Sequence, residues 1–84
     1  MRDWLYVEDA VDAYLLLAER MQVCAPGEAY NLALETPQTI LQIVQTITKV
    51  VGADLAPLID GQPRLGEIQA QALDCTKAHE VLGW

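Results

Sequence analysis

The sequence opens with the stretch that decides its fold and its chemistry, RDWLYVEDAVDA, residues 2–13. Arg2 stands two residues before an aromatic side chain, and a helical pattern of apolar residues follows directly. A second arginine, Arg64, occurs in the segment PRLGE, residues 63–67. Arg2 and Arg64 are therefore the candidate functional residues, and most other residues are typical of a scaffold.

The chain length and composition predict one small domain over residues 1–84 that needs a partner. A chain of 84 residues buries only about 60% of the surface that its unfolded form exposes, so the core must be thin. Yet 52% of the residues are hydrophobic. We expect the surplus apolar surface to be covered by another copy of the chain or by a domain outside these residues.

The charge balance excludes two classes of partner. The formal net charge is −7, with 12 acidic and five basic residues. No cluster of Lys and Arg offers a surface for a nucleic-acid backbone or an anionic membrane. We therefore expect neither nucleic acid nor membrane as a partner.

The cysteines and the apolar runs indicate a cytoplasmic protein. Cys24 and Cys75 have no further Cys or His at metal-ligand spacing, so neither a zinc site nor a disulfide framework is indicated. No apolar run approaches about 20 residues, and the start lacks an apolar signal region. We expect free thiols, no metal and a cytoplasmic location.

Apolar periodicity and capping residues predict three helices. The first begins at Glu8 and ends at Met21. The second has Thr39 and Gln42 as a capping box and ends at Gly52. The third spans residues 75–82 and is capped by Asp74. The second helix contains many β-branched residues, so we expect burial of its apolar stripe to hold it together.

Two short strands are predicted between the helices, over residues 28–34 and 55–59. Pro57 interrupts the second strand, which suits an edge position. The expected order is helix, strand, helix, strand, helix. This order predicts an α+β fold, a small mixed α/β lobe.

Five motifs in this order resemble a known family. They are RDWLYVED at residues 2–9, EAYNL at 28–32, RLGE at 64–67, DCTKA at 74–78 and LGW at 82–84. Together they resemble the C-terminal, substrate-binding portion of an extended short-chain dehydrogenase/reductase. The likeness is greatest to NAD-dependent nucleotide-sugar epimerases and 4,6-dehydratases, and the Arg-Asp-Trp opening resembles the GDP-mannose and CDP-glucose dehydratase branch.

The resemblance implies a lobe without its Rossmann cofactor domain. No Gly-x-x-Gly-x-x-Gly motif follows a strand, so no pyrophosphate-binding turn is prepared. Tyr6, Tyr14 and Tyr30 lack a Lys four residues on, so the family's Tyr-x-x-x-Lys pair is missing. We expect the isolated chain to hold no cofactor and to be no enzyme, with NAD(P) belonging to the parent family.

The resemblance assigns both arginines to the substrate diphosphate. The family's corresponding arginines reach that group, and a guanidinium fork suits phosphate oxygens. The alternative is that each arginine pairs with a nearby carboxylate: Arg2 with Asp3 or Glu8, and Arg64 with Glu67.

Several side chains are expected to be structural. Trp4, Tyr6 and Tyr30 could stack on a nucleotide base, but packing in the core is favoured. Asp9 and Asp12 are expected on a solvated helix face. His79 has no partner at ligand spacing and is expected at the surface.

The sequence departs from the family pattern at two turns. Leu34 and Glu35 replace a Gly-rich turn, and Leu65 replaces a proline after the second arginine. We expect a different turn at residues 34–35 and a looser loop at Arg64.

Two hypotheses for function follow. The first is a detached substrate-binding lobe that binds nucleotide diphosphate sugar weakly and is not catalytic alone; both ends of the chain resemble cut ends. The second is a stand-alone module that self-associates, as a homo-oligomer, through the helix that begins at Glu8 and ends at Met21.

Overall fold

The computed structural model describes all 84 residues and contains three helices. They are α1 (Val7–Glu19), α2 (Ile40–Val51) and α3 (Thr76–Leu82). All three predicted helices are confirmed, with ends that differ by one or two residues. None of them is long and apolar enough to cross a lipid bilayer.

The capping box of α2 is confirmed atom by atom. The Oγ1 atom of Thr39 accepts from the Gln42 N–H at 3.1 Å, and the Gln42 Oε1 atom accepts from the Thr39 N–H at 2.7 Å. Gly52 ends the helix with φ 73°, in the left-handed region. A side chain there would be strained, so glycine suits the position.

Asp74 stabilises the start of α3, as predicted. Its Oδ1 atom accepts from the Thr76 N–H at 2.8 Å. Hydrogen bonds from the Thr76 side chain and backbone lower the pKa of the Asp74 carboxyl. The cap position itself is occupied by Cys75, whose side chain makes no capping bond.

The two predicted strands form no ladder within this chain. Residues 28–34 and 55–59 lie outside regular secondary structure, and the β pairing consists of one isolated antiparallel bridge between Arg2 and Gln38. A strand exists only against a partner strand, and an isolated pair is marginal in water. The α+β assignment therefore stays a prediction.

The buried core is small and lies between α1, residue 33 and α3. Five residues are buried: Ala13, Ala33, Cys75, Ala78 and Leu82. The radius of gyration is 17.0 Å, whereas a compact domain of this length has about 12 Å. The chain is therefore extended, with little apolar surface covered by its own residues.

The expected burial of the α2 stripe is wrong for this chain. No residue of α2 is buried, and Val50 is 80% exposed. No other helix packs extensively against α2, and within its stripe only Ile43 and Val44 are half-buried. In this chain, α2 is therefore stabilised by its capping bonds and its backbone hydrogen bonds.

The capping box yields the first testable prediction. Thr39→Ala removes the acceptor for the Gln42 N–H, which should cost about 1 kcal/mol of helix stability. Far-UV circular dichroism at increasing urea should show an earlier loss of helical signal. The matched control is Thr46→Ala, the same change on an exposed interior position of α2. Equal effects of the two substitutions would contradict the capping role.

Candidate functional site

The backbone of Arg2 is fixed from two sides. Arg2 N–H donates to the Gln38 carbonyl at 2.9 Å, and Gln38 N–H donates to the Arg2 carbonyl at 2.8 Å. On the other side, Gln71 N–H donates to the Met1 carbonyl at 3.0 Å. The adjacent Asp3 accepts from the Leu34 N–H at 3.1 Å. These bonds place Arg2 directly beside the residues that precede α2.

The guanidinium of Arg2 keeps most of its donors available. Its Nη1 atom donates to the Met1 carbonyl at 2.9 Å, and the side chain is half-buried. Arg2 lines a cleft of about 200 Å³ together with Ile40, Glu67 and Gln69. The other residues that line this cleft, Met1 and Ile68, are apolar, so its lining is half apolar and half polar.

Arg64 lines a second cleft, of about 380 Å³. Arg64 is exposed and lies in a turn in which the Glu67 N–H approaches the Arg64 carbonyl at 3.4 Å. Earlier in the same loop, the Asp60 Oδ1 atom accepts from the Gln62 N–H at 3.1 Å. Asp60 also lines the cleft, whose remaining lining residues are apolar.

Neither arginine is paired with a carboxylate. The structure contains two ion pairs, Lys77 with Glu28 and His79 with Glu35. The alternative in which Arg2 and Arg64 each form an ion pair with a neighbouring acid is therefore not found. Both guanidinium groups are left with donors for an external acceptor.

The two arginine clefts meet at the N-terminus of α2. Ile40 is the first residue of α2 and lines both clefts. The N–H groups of Ile40 and Leu41 come before the first intrahelical hydrogen bond, which Ile43 donates to Thr39. Such N–H groups carry partial positive charge and favour anions. The structure thus places the arginines in neighbouring clefts, although not in one cavity.

A larger cleft lies elsewhere, and all of its charged lining residues are acidic. It measures about 540 Å³ and is lined by Asp9, Asp12 and Glu19 of α1 and by Trp84. Three carboxylates disfavour a diphosphate there. Asp12 is exposed, as expected for a solvated helix face, and Asp9 is half-buried; both line this cleft.

The aromatic residues do not anchor a core in this chain. Trp4 is 44% exposed and Tyr6 57% exposed, so the expectation of core packing is wrong for both. No other part of the chain covers these two side chains. Tyr30 is half-buried, with the Lys77 Nζ atom 4.8 Å from its ring centroid, a cation–π contact.

Glu35 adopts the conformation that a glycine would take. Its φ is 57°, which costs a non-glycine residue about 1–2 kcal/mol. Its carboxylate offsets this cost by accepting from the Cys75 N–H at 2.7 Å and by pairing with His79 Nε2 at 3.4 Å. A left-handed turn therefore forms here even though Glu35 stands in place of glycine. The sequence pattern did not reveal the contacts of Glu35 that compensate for this replacement.

His79 is exposed, as expected, but it has partners that sequence analysis missed. Its Nδ1 atom contacts the Trp84 carbonyl, and its ring stacks on the Trp84 ring at 6.0 Å. The Trp84 Nε1–H donates to the Asp9 carbonyl at 3.3 Å. The Trp84 carbonyl, followed by Glu35, raises the pKa of His79. This chain of contacts ties α3 to α1 and to the Glu35 turn.

The cysteines offer neither a metal site nor a reactive pair. Both are free thiols, and no group of three His, Cys, Asp or Glu side chains could hold a metal ion. Burial raises the pKa of the Cys75 thiol, which approaches the Ala33 carbonyl at 3.6 Å. Cys75 is therefore a packed residue of the core.

Comparison with known proteins identifies relatives of this chain. Residues 1–33 match the "NAD dependent epimerase/dehydratase family". A UDP-glucose 4-epimerase of Lactobacillus helveticus is 34% identical over all 84 residues, which cover 25% of that relative. A dTDP-glucose 4,6-dehydratase of Haemophilus influenzae is 33% identical over an alignment of 96 residues that includes the whole chain and 27% of the relative.

A third relative, a CDP-glucose 4,6-dehydratase of Salmonella typhimurium, is 30% identical over 88 aligned residues, with all of this chain and 24% of the relative covered. No solved structure matches the chain. The chain is related in sequence to NAD-dependent sugar epimerases and dehydratases and spans about a quarter of the length of these curated relatives.

The His79 contacts predict a pH dependence of stability. Because folding raises the pKa of His79 above its ordinary 6.5, the folded state favours the protonated ring. This stabilisation is fully present below the ordinary pKa and is lost as the pH rises through the raised value. The difference in melting temperature between the native chain and His79→Gln should therefore shrink from about pH 5.5 to about pH 8.5.

Thermal unfolding of both proteins across this pH range checks the prediction. Lys77→Gln is the matched control, because it also removes a basic side chain of α3 that is paired with a carboxylate, that of Glu28. A constant difference between native chain and His79→Gln at every pH would contradict the prediction.

Proposed function

We propose that this chain binds the diphosphate group of nucleotide sugars between Arg2 and Arg64, at the N-terminus of α2. One observation carries the proposal: the cleft of Arg2 and the cleft of Arg64 share Ile40, the first residue of that helix. The relatives named as UDP-glucose epimerase and dTDP- or CDP-glucose dehydratase support this choice of ligand.

The arrangement suits a doubly charged, extended anion. Two guanidinium groups offer several N–H donors in a planar fork, and each can bond two phosphate oxygens. The α2 N-terminus adds partial positive charge between them. One carboxylate in each cleft, Glu67 and Asp60, opposes an anion placed deep inside either one. The diphosphate is therefore best placed at the junction of the clefts.

The proposal assigns binding, and no catalysis, to residues 1–84 by themselves. Hydride transfer requires a bound nicotinamide and a group that moves the hydroxyl proton. The sequence has no Tyr-x-x-x-Lys pair and no Gly-rich turn after a strand. In the parent family those parts, with NAD(P), would come from outside these residues.

A second candidate function is self-association through α1, and the exposed face of that helix favours it. Val7, Val11 and Tyr14 are exposed large side chains at helical spacing, with Leu15 beside them. They form a continuous apolar stripe that a second copy could cover. The acidic residues Glu8, Asp9, Asp12 and Glu19 share α1, so association should strengthen as salt screens their repulsion.

Calorimetric titration with UDP-glucose tests the diphosphate site. Arg2→Ala or Arg64→Ala should each weaken binding about tenfold or more, because each removes a charge-assisted hydrogen-bond donor. Arg20→Ala is the matched control, since Arg20 is an exposed arginine at the end of α1, outside both clefts. Unchanged binding in the two cleft variants, or no heat with the native chain at millimolar ligand, would refute the site.

Sedimentation velocity at several salt concentrations tests self-association. The native chain should form a dimer that strengthens with salt, and Val11→Glu should weaken it by placing a charge in the apolar stripe. Val50→Glu is the control, because Val50 is the same residue type and is even more exposed than Val11 but lies on α2. A strictly monomeric native chain at high concentration would contradict this second candidate.

A further inference from the structure

Trp84 forms one side of the acidic cleft, the cleft that Asp9, Asp12 and Glu19 of α1 line. Its Nε1–H donates to the Asp9 carbonyl at 3.3 Å. Its other hydrogen bond and its aromatic contact are both made with His79. The position of Trp84 at the cleft therefore depends on one bond to α1 and on the state of His79.

His79 satisfies both of its hydrogen-bond partners only when its ring is protonated. The Nδ1 atom contacts the Trp84 carbonyl, and the Nε2 atom lies 3.4 Å from a carboxylate oxygen of Glu35. Both partners are acceptors, whereas a neutral imidazole carries a single N–H. Loss of the proton therefore leaves one ring nitrogen with a lone pair facing an oxygen atom.

Two observations indicate that the contact with Trp84, and not that with Glu35, is the one that proton loss weakens. The His79 and Trp84 rings stack with their centroids 6.0 Å apart and their planes 7° apart, so a charged ring gains a cation–π attraction that a neutral ring lacks. The Trp84 carbonyl is also the first cause of the raised pKa of His79, ahead of Glu35. By linkage, the contact that raises the pKa most is the one that loses most when the proton leaves.

The charged groups around the His79 ring are acidic. Glu35 faces it from the turn before α2, and Asp74, which precedes α3, also favours the protonated form. On the side of α1, the Asp9 carboxylate lines the cleft together with Trp84. Lys77, the other basic residue of α3, is paired elsewhere, with Glu28. The surroundings of the ring therefore favour the imidazolium form.

Gly83 separates Trp84 from the fixed end of α3. Leu82, the last residue of that helix, is 1% exposed and packs in the core. Gly83 follows with φ 71°, and no atom lies within 4 Å of the position that a side chain would take. Glycine can change its backbone angles at little cost. Trp84 can therefore move while α3 stays in place.

We propose that His79 and Trp84 form a pH-sensitive flap on the acidic cleft. When His79 is protonated, Trp84 is held against α1 and the cleft is closed on this side. When His79 is neutral, Trp84 turns outward about Gly83 and uncovers apolar residues that line the cleft, which are Leu15, Leu16 and Leu34. The flap is independent of the proposed diphosphate site, because the acidic cleft shares no residue with either arginine cleft.

Acrylamide quenching of Trp84 fluorescence tests the flap. Trp4→Phe leaves Trp84 as the only tryptophan, and Trp4 does not line the cleft. The quantity to measure is the bimolecular quenching constant, the Stern–Volmer constant divided by the unquenched lifetime, since this ratio removes direct quenching of the indole by the imidazolium. It should rise about twofold or more from about pH 5.5 to about pH 8.5. The midpoint should lie above 6.5, the ordinary pKa of histidine.

Three variants in the Trp4→Phe protein separate the role of His79 from that of charge in general. His79→Gln should give the high, open value at every pH, because an amide does not become a cation. Glu35→Gln should keep the rise but lower its midpoint, because a negative charge that favours the protonated ring is lost. Lys77→Gln is the matched control on α3 and should keep the rise, since Lys77 contacts neither His79 nor Trp84.

Far-UV circular dichroism over the same pH range distinguishes the flap from unfolding. A constant helical signal together with a rising quenching constant supports the proposal. A quenching constant that is equal at both ends of the range, or that rises equally in His79→Gln, refutes it. Loss of helical signal with the same midpoint also refutes it, because α3 would then unfold as a whole instead of Trp84 turning about Gly83.

Discussion

The two hydrogen bonds between Arg2 and Gln38 are the constraint on which the rest of the arrangement depends. They form the isolated β-bridge of the chain, and they join its first residues to the segment that starts α2. Gln38 directly precedes Thr39, whose capping box fixes the first turn of the helix. One short pairing therefore positions a guanidinium group beside a helix N-terminus, even though the two are more than 30 residues apart in sequence.

The junction of the two arginine clefts has a local charge that differs from that of the whole molecule. The whole chain carries −7, and the largest cleft is lined by three carboxylates. At the junction near Ile40, two arginines and the partial charge of α2 act against only Glu67 and Asp60. Because both arginines lack carboxylate partners, an incoming phosphate has no internal ion pair to displace. Many residues that line the two clefts are exposed, so salt should screen these attractions.

Local patterns predicted the helices well, because caps and apolar periodicity act over a few residues. Thr39, Gln42 and Gly52 fixed the ends of α2 from the sequence alone. The strands over residues 28–34 and 55–59 were not observed, because a strand depends on a partner that local sequence does not specify. The exposure of Trp4 and of the α2 stripe was not predicted, because burial also depends on partners that local sequence does not specify.

The candidate arginines came from the family resemblance, but the meeting of their clefts at Ile40 required the long-range pairing of Arg2 with Gln38. The compensation at Glu35 likewise depended on Cys75 and His79, 40 or more residues away.

The central claim is that both arginines and the N-terminus of α2 bind one diphosphate. A titration of the isotope-labelled chain with UDP, followed by ¹H–¹⁵N NMR, tests it most directly. The account predicts that the Nε signals of Arg2 and Arg64 and the backbone amide signals of Ile40 and Leu41 shift together, with a single dissociation constant. The Nε signal of Arg20 should not move. Shifts at one arginine alone, or shifts that leave the Ile40 and Leu41 amides unchanged, would contradict it.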